Sequence, residues 1–212
     1  MVGGKPLNGE PHSPHLTSDN QKPNHGGCIE IVARHAIEPY GQGDLDGLCG
    51  LYSAINGFRL ARYDHDPMTK AECKRLLGRG ANYLHRHRAL APALANGMET
   101  WLWHALIRNL AKHAASDAIG FKIERPVFSG EPRIADVLAW IDASLSQGKP
   151  VLICLRSALN RFSVVAASTP TKLLLFDSNR HRFVKRSSCG TSSGRHQIPP
   201  EALLRLSVRR RS

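Results

Sequence analysis

GQGDLDGLCGLYSAINGFRL, residues 41–60, passes from a turn-rich approach into an amphipathic run. Gly41, Gly43, Asp44, Asp46 and Gly47 are poor helix-interior residues, whereas Leu48, Leu51, Tyr52, Ile55 and Phe58 recur at steps of three and four. The spacing therefore predicts a helix that begins near Cys49 and runs to about Arg62. Backbone N–H groups at a helix start, with the positive end of the helix dipole, favour an anion, so this position predicts a thiol with a lowered pKa. A cysteine on a helix is more often a small buried hydrophobe. Gln42, seven positions earlier, strengthens the chemical reading, because its side-chain amide and the Cys49 backbone N–H would make two donors of an oxyanion hole.

Outward from this helix, residues 1–28 are rich in Gly, Pro, Asn, Ser and His and nearly empty of large apolar residues, which predicts disorder. Three of those residues, His12, His15 and His25, are irregularly spaced and read as solvated rather than metal-binding. Cys28–His35 alternates apolar and polar residues and reads as a short strand. Beyond Asp66-Pro67, helical spacing runs from Met68 to Leu77 and stops at Gly78, with a continuation from Ala81 to Leu90. The histidines of LHRHR, at 84–88, are two apart and point away from each other on a helix, so they form a basic face and not a ligand pair. From Asn96 to Ser116, Met98, Trp101, Leu102, Ala105, Leu106, Leu110 and Ala114 predict a core-facing stripe, with His104 and His113 on its polar edge.

The period then changes. Ile119–Val127 reads as a strand and Arg133–Leu145 as an amphipathic helix stopped by Gly148-Lys149-Pro150. Strands follow at Val151–Arg156, Arg161–Ser168 and Thr171–Asp177, the last two joined as an antiparallel hairpin by Thr169-Pro170. A helical first half and a sheet-forming second half give the class α+β, with the Cys49 helix packed on the sheet.

The chain has 212 residues and a formal net charge of +12. That length suits one domain, at 29–186, between the N-terminal segment and a basic C-terminal tail at 187–212. From Arg180 onward there are nine Lys/Arg against one Glu. A field of this sign attracts acidic partners, so weak, nonspecific nucleic-acid contact through the tail is expected. No RNP, zinc-finger or helix-turn-helix signature supports a dedicated reader. The cysteines at 28, 49, 73, 154 and 189 form no CxxC pair and leave an odd one over, which argues against a zinc site or a disulfide framework and for a reducing, cytoplasmic setting. No apolar run approaches a membrane span, and no signal-peptide pattern opens the chain.

The order Gln42, glycine-rich turn, Cys49, helix resembles the papain-like cysteine peptidases, most nearly their bacterial bacteriocin-processing members. DGLC, at 46–49, is also similar to the DGxC turn of ovarian-tumour deubiquitinases, which share that fold. The resemblance spans roughly 29–184. It implies a helical lobe carrying the Cys helix on a twisted antiparallel sheet, a peptide or protein ligand, and neither cofactor nor metal. It implies Cys49 as nucleophile, Gln42 as oxyanion donor and Asp177 as the carboxylate behind the base, with Asp46, Gly47 and Arg161 as binding residues. Counting across Thr169-Pro170 sets Arg161 opposite Asp177 and Ser178, so arginine stands where the family has its catalytic histidine. Arginine stays protonated and cannot transfer the proton. His181, just past Asp177, and His35 are the alternative bases. Three readings stay open: a thiol hydrolase with a displaced base, a degenerate peptidase fold that binds without cleaving, and a basic nucleic-acid-associated protein.

Overall fold

The computed structural model describes residues 27–42 and 47–211. Most of the segment expected to be disordered, and Asp46, lie outside the described residues. The elements are β1 (Ile29–Glu30), α1 (Ala33–Ala36), α2 (Cys49–Arg62), α3 (Lys70–Arg86), α4 (Leu90–Asn96), α5 (Thr100–Ala114), β2 (Ile119–Glu124) and α6 (Ile134–Ser146). After them come β3 (Val151–Ser157), β4 (Arg161–Ser168), β5 (Lys172–Leu175), β6 (Phe183–Lys185), β7 (Cys189–Gly190), β8 (His196–Gln197) and β9 (Leu204–Arg210). The class is α+β.

The main sheet is antiparallel in the order β2-β9-β3-β4-β5-β6, with β1 paired to the end of β4 and β8 to the end of β3. Side chains alternate across it, so helices cover both faces. Leu152 of β3 and Leu206 of β9 point to one face and meet Gly57 of α2. Arg205, between Leu204 and Leu206, points to the other and lies over the Trp140 ring of α6, 5.7 Å from its centroid. Arg186, just past β6, fastens α6 through two bonds to Asp142 of 2.9 and 2.8 Å.

Almost every residue of α2 is buried, because α3 and α5 pack on the side away from the sheet. Its C-terminal end is held by Arg62, only 2% exposed, which donates to the Ala114 carbonyl at 2.9 Å and to Glu72 at 3.3 Å. Glu72 also completes the capping box with Thr69 that starts α3. That strong start helps carry α3 through Gly78 and Gly80, past the stop predicted at Gly78. Gly80 is required by close packing: a Cβ there would lie 2.3 Å from Leu51 Cδ1 of α2.

Three further expectations are corrected. Cys28–His35 is strand only at β1 and then turns into α1, whose residues need no cross-strand partner. On α5 the buried face runs through Leu102, Trp103, Leu106, Ile107 and Leu110 and takes in His104, while Trp101 is 70% exposed. Within the stretch expected as a tail, 187–212, the described residues to 211 do not form one: β9 lies between β2 and β3 inside the sheet, with Leu204 and Leu206 buried. Among the described residues no helix is long and apolar enough to cross a membrane.

Candidate functional site

Cys49 opens α2, and β4 crosses its start. The Phe162 amide donates to Cys49 Sγ at 3.4 Å, which brings residues 113 apart in sequence into contact. Phe162 stacks on Trp103 with centroids 4.2 Å apart, and Trp103 Nε1 donates to the Gly50 carbonyl at 2.9 Å. These two rings roof the helix start and leave Cys49 8% exposed. Burial pushes the thiol pKa up; the Phe162 amide and the Arg161 guanidinium pull it down, Asp177 adds to the rise, and the net direction is upward. The lowered pKa expected from the helix start is therefore not found, because desolvation of a thiolate outweighs the nearby donors.

Arg161 is set at the start of β4 by a tight turn in which Ser157 and Asn160 take left-handed φ values of 68° and 43°. Its Nη1 donates to Asp177 Oδ1 at 3.0 Å, and the two side chains are 10% and 1% exposed. The register that joins β4 and β5 carries a bulge between Val165 and Ala167, beyond which Asp177 leaves β5 facing Arg161. Asp177 Oδ1 also accepts from the Asn179 amide at 2.9 Å and the His181 amide at 3.4 Å. One carboxylate oxygen thus holds both the arginine and the turn that follows.

Gln42 is anchored beside this turn: its backbone N–H donates to the Ser178 carbonyl at 3.0 Å, and its Oε1 accepts from the Ser178 hydroxyl at 3.1 Å. The Gly47 amide donates to the Leu94 carbonyl at 3.1 Å. A Cβ at Gly47 would lie 2.5 Å from the Ala93 carbonyl oxygen, so glycine is needed for α4 to pass there. Asp46 is outside the described residues. His181 lines a groove with Asp177, Ser178 and His35 that Cys49 does not border, and His35 Nε2 sits 3.0 Å from Glu30.

Cys49 instead faces a cleft of about 500 Å³ whose walls include Met98, Cys154, Arg156, Asn160 and Arg161. Cys154 pairs with Phe162 across β3 and β4, and burial pushes its thiol up to about 11. Arg156, Trp103 and Phe162 were not singled out in the sequence. Phe162 was accessible in principle, since strand alternation sets it on the face opposite Arg161. The described residues contain no group of three or more His, Cys, Asp or Glu able to hold a metal ion.

The chain matches no family model, no curated protein and no solved structure. Chemically, the arrangement offers a buried thiol and a permanent cation locked to a carboxylate. Arg161, beside Cys49, cannot both accept and return a proton at neutral pH, and Glu99 is the carboxylate among the described residues that line the cleft.

Proposed function

We propose that this protein has a papain-like peptidase fold whose thiol site has lost its general base and binds a peptide or protein without cleaving it. The observation that carries the reading is the Arg161–Asp177 pair at 3.0 Å beside the Cys49–Phe162 contact at 3.4 Å. Nucleophile, strand-start residue and strand-end carboxylate follow one another in the order a thiol hydrolase needs, with arginine in the place of the base. The upward shift of the Cys49 pKa supports the same reading, since a protonated, buried thiol without a base is a poor nucleophile.

The test compares wild type, Arg161→His and Arg161→His/Cys49→Ala on a panel of fluorogenic peptide amides and esters. Wild type is expected to show no turnover. Arg161→His places an imidazole between Cys49 and Asp177, and a general base is worth about 10²–10⁴-fold in rate. That gain should vanish with Cys49→Ala. Turnover by wild type that Cys49→Ala abolishes would refute the loss of catalysis, and loss of it in His181→Ala would identify His181 as the base. No gain in a folded Arg161→His protein would refute the assignment of position 161.

A further inference from the structure

A second concave site lies on the side of Asp177 away from the thiol cleft. It is a groove of about 790 Å³ between α1 with its following loop and the turn at 176–182. Its walls carry Arg34, His35, Glu38, Arg180, His181 and Arg182. Several are already neutralised. Arg34 and His35 both reach Glu30, at 3.4 and 3.0 Å, and Asp177 at the base is held by Arg161. Arg180 and Arg182, both exposed, make no ion pair with the described residues, and only Glu38 opposes them within the groove.

The turn fixes the backbone from which these two arginines project. Asp177 Oδ1 takes the Asn179 and His181 amides, the Arg180 amide donates to the Asp177 carbonyl at 3.3 Å, and the Leu175 amide donates to the Arg182 carbonyl at 2.9 Å. Arg180 itself has a φ of 62°, in the left-handed region. Glycine or asparagine would take that conformation with less strain.

We propose that this groove binds an acidic segment of another polypeptide, with Arg180 and Arg182 pairing to its carboxylates. A walled groove fits an extended chain, and a guanidinium can pair with a carboxylate through two parallel hydrogen bonds. Half-buried Ile37 and Pro39 add an apolar wall for the aliphatic parts of such a segment. A single-stranded nucleic acid would want broad aromatic faces, and this lining, among the described residues, has neither Trp nor Tyr, while its one Phe, Phe176, is only 4% exposed; the imidazoles of His35 and His181 are the stacking faces left. The site stands independently of what happens at Cys49.

The experiment is a fluorescence-polarisation titration of the full chain at physiological salt. The probes are a labelled peptide of alternating Asp and Glu about a dozen residues long, its Asn/Gln analogue, and a single-stranded oligonucleotide of equal charge. The acidic peptide should bind, the neutral analogue should not, and Arg180→Asn/Arg182→Gln should weaken binding about tenfold or more. Asparagine is chosen because it tolerates the left-handed backbone. Lys74→Gln/Arg75→Gln, which removes the same charge from the exposed face of α3, should change affinity less than about twofold if contact and not overall field is responsible. Equal losses in the two double variants, or no binding of the acidic peptide, would overturn the proposal. An oligonucleotide that binds more tightly than the peptide and depends on the same arginines would overturn it in favour of a nucleic-acid site.

Discussion

Replacing Arg161 by alanine tests whether the site is held by its ion pair. The substitution leaves Asp177, whose side chain is 1% exposed, without its cation. Breaking a buried pair in this way costs about 3–5 kcal/mol, most of it from the charge left behind. The Asn179 and His181 amides still reach Asp177 Oδ1 at 2.9 and 3.4 Å, so the lower end, about 3 kcal/mol, is expected. For a chain of this length each kcal/mol moves the melting temperature by about 2–4 °C, which gives a drop of about 6–12 °C. Asp177→Asn keeps an oxygen for the two amides while removing the charge. The double variant Arg161→Met/Asp177→Asn should therefore recover most of the loss, because an apolar stem and a neutral amide need no counter-ion. Urea unfolding with an unchanged m-value and calorimetry would supply both numbers. A cost below about 1 kcal/mol for Arg161→Ala, or strictly additive effects in the double variant, would refute a buried, coupled pair.

Other sites give sharp expectations. His104, 6% exposed on α5, has its pKa lowered to about 4, first by burial and then by Arg125 and Arg108, from an ordinary 6.5. The unfolded chain gains a proton below 6.5 that the folded chain refuses until about 4, so stability is complete above 6.5 and falls by about 3 kcal/mol across that window; urea midpoints against pH should show this slope, and His104→Leu should flatten it. Gly80→Ala should destabilise by about 1–3 kcal/mol through the contact with Leu51, whereas Gly78→Ala, with nothing within 4 Å, should stabilise by about 0.5–1 kcal/mol, both read by thermal unfolding. Iodoacetamide at mildly alkaline pH should label half-buried Cys28 before Cys49, whose thiol is buried; faster labelling of Cys49 would show an activated thiolate and contradict the burial argument.

Much of this was legible locally. The α2 period and the strand at Arg161–Ser168 are short-range signals, and Arg161 does meet Asp177 at 3.0 Å, although the turn closes between Thr169 and Lys172 and pairs Ser168 with Leu173, two residues further along than a Thr169-Pro170 turn gives. What failed depended on partners far away in sequence. The alternation of Leu204, Leu206 and Val208 with Arg205 and Ser207 was masked by the run of arginines that follows, and their partner β2 lies some eighty residues earlier. Trp101 and Trp103 look equivalent as apolar residues, yet only one faces α2; the choice is made by the Gly50 carbonyl that accepts the Trp103 indole.

The Cys49 thiol shows why site chemistry is harder to read than site position. The helix start and Arg161 were both visible and both favour a thiolate, but their sum has the wrong sign without the burial of the sulfur that the tertiary fold imposes. On the proposed reading, that sign and the arginine belong together. A histidine between Cys49 and Asp177 would share the thiol proton and compensate for burial by forming an ion pair with the thiolate. Arginine gives its charge to Asp177 instead, through Nη1, and has no lone pair with which to take the proton. The scaffold of the site is then stabilised by the same substitution that disables it, which predicts that Arg161→His, while gaining turnover, should unfold at a lower temperature than wild type. A variant that gained activity with no loss of stability would mean that the pair with Asp177 contributes nothing to the fold.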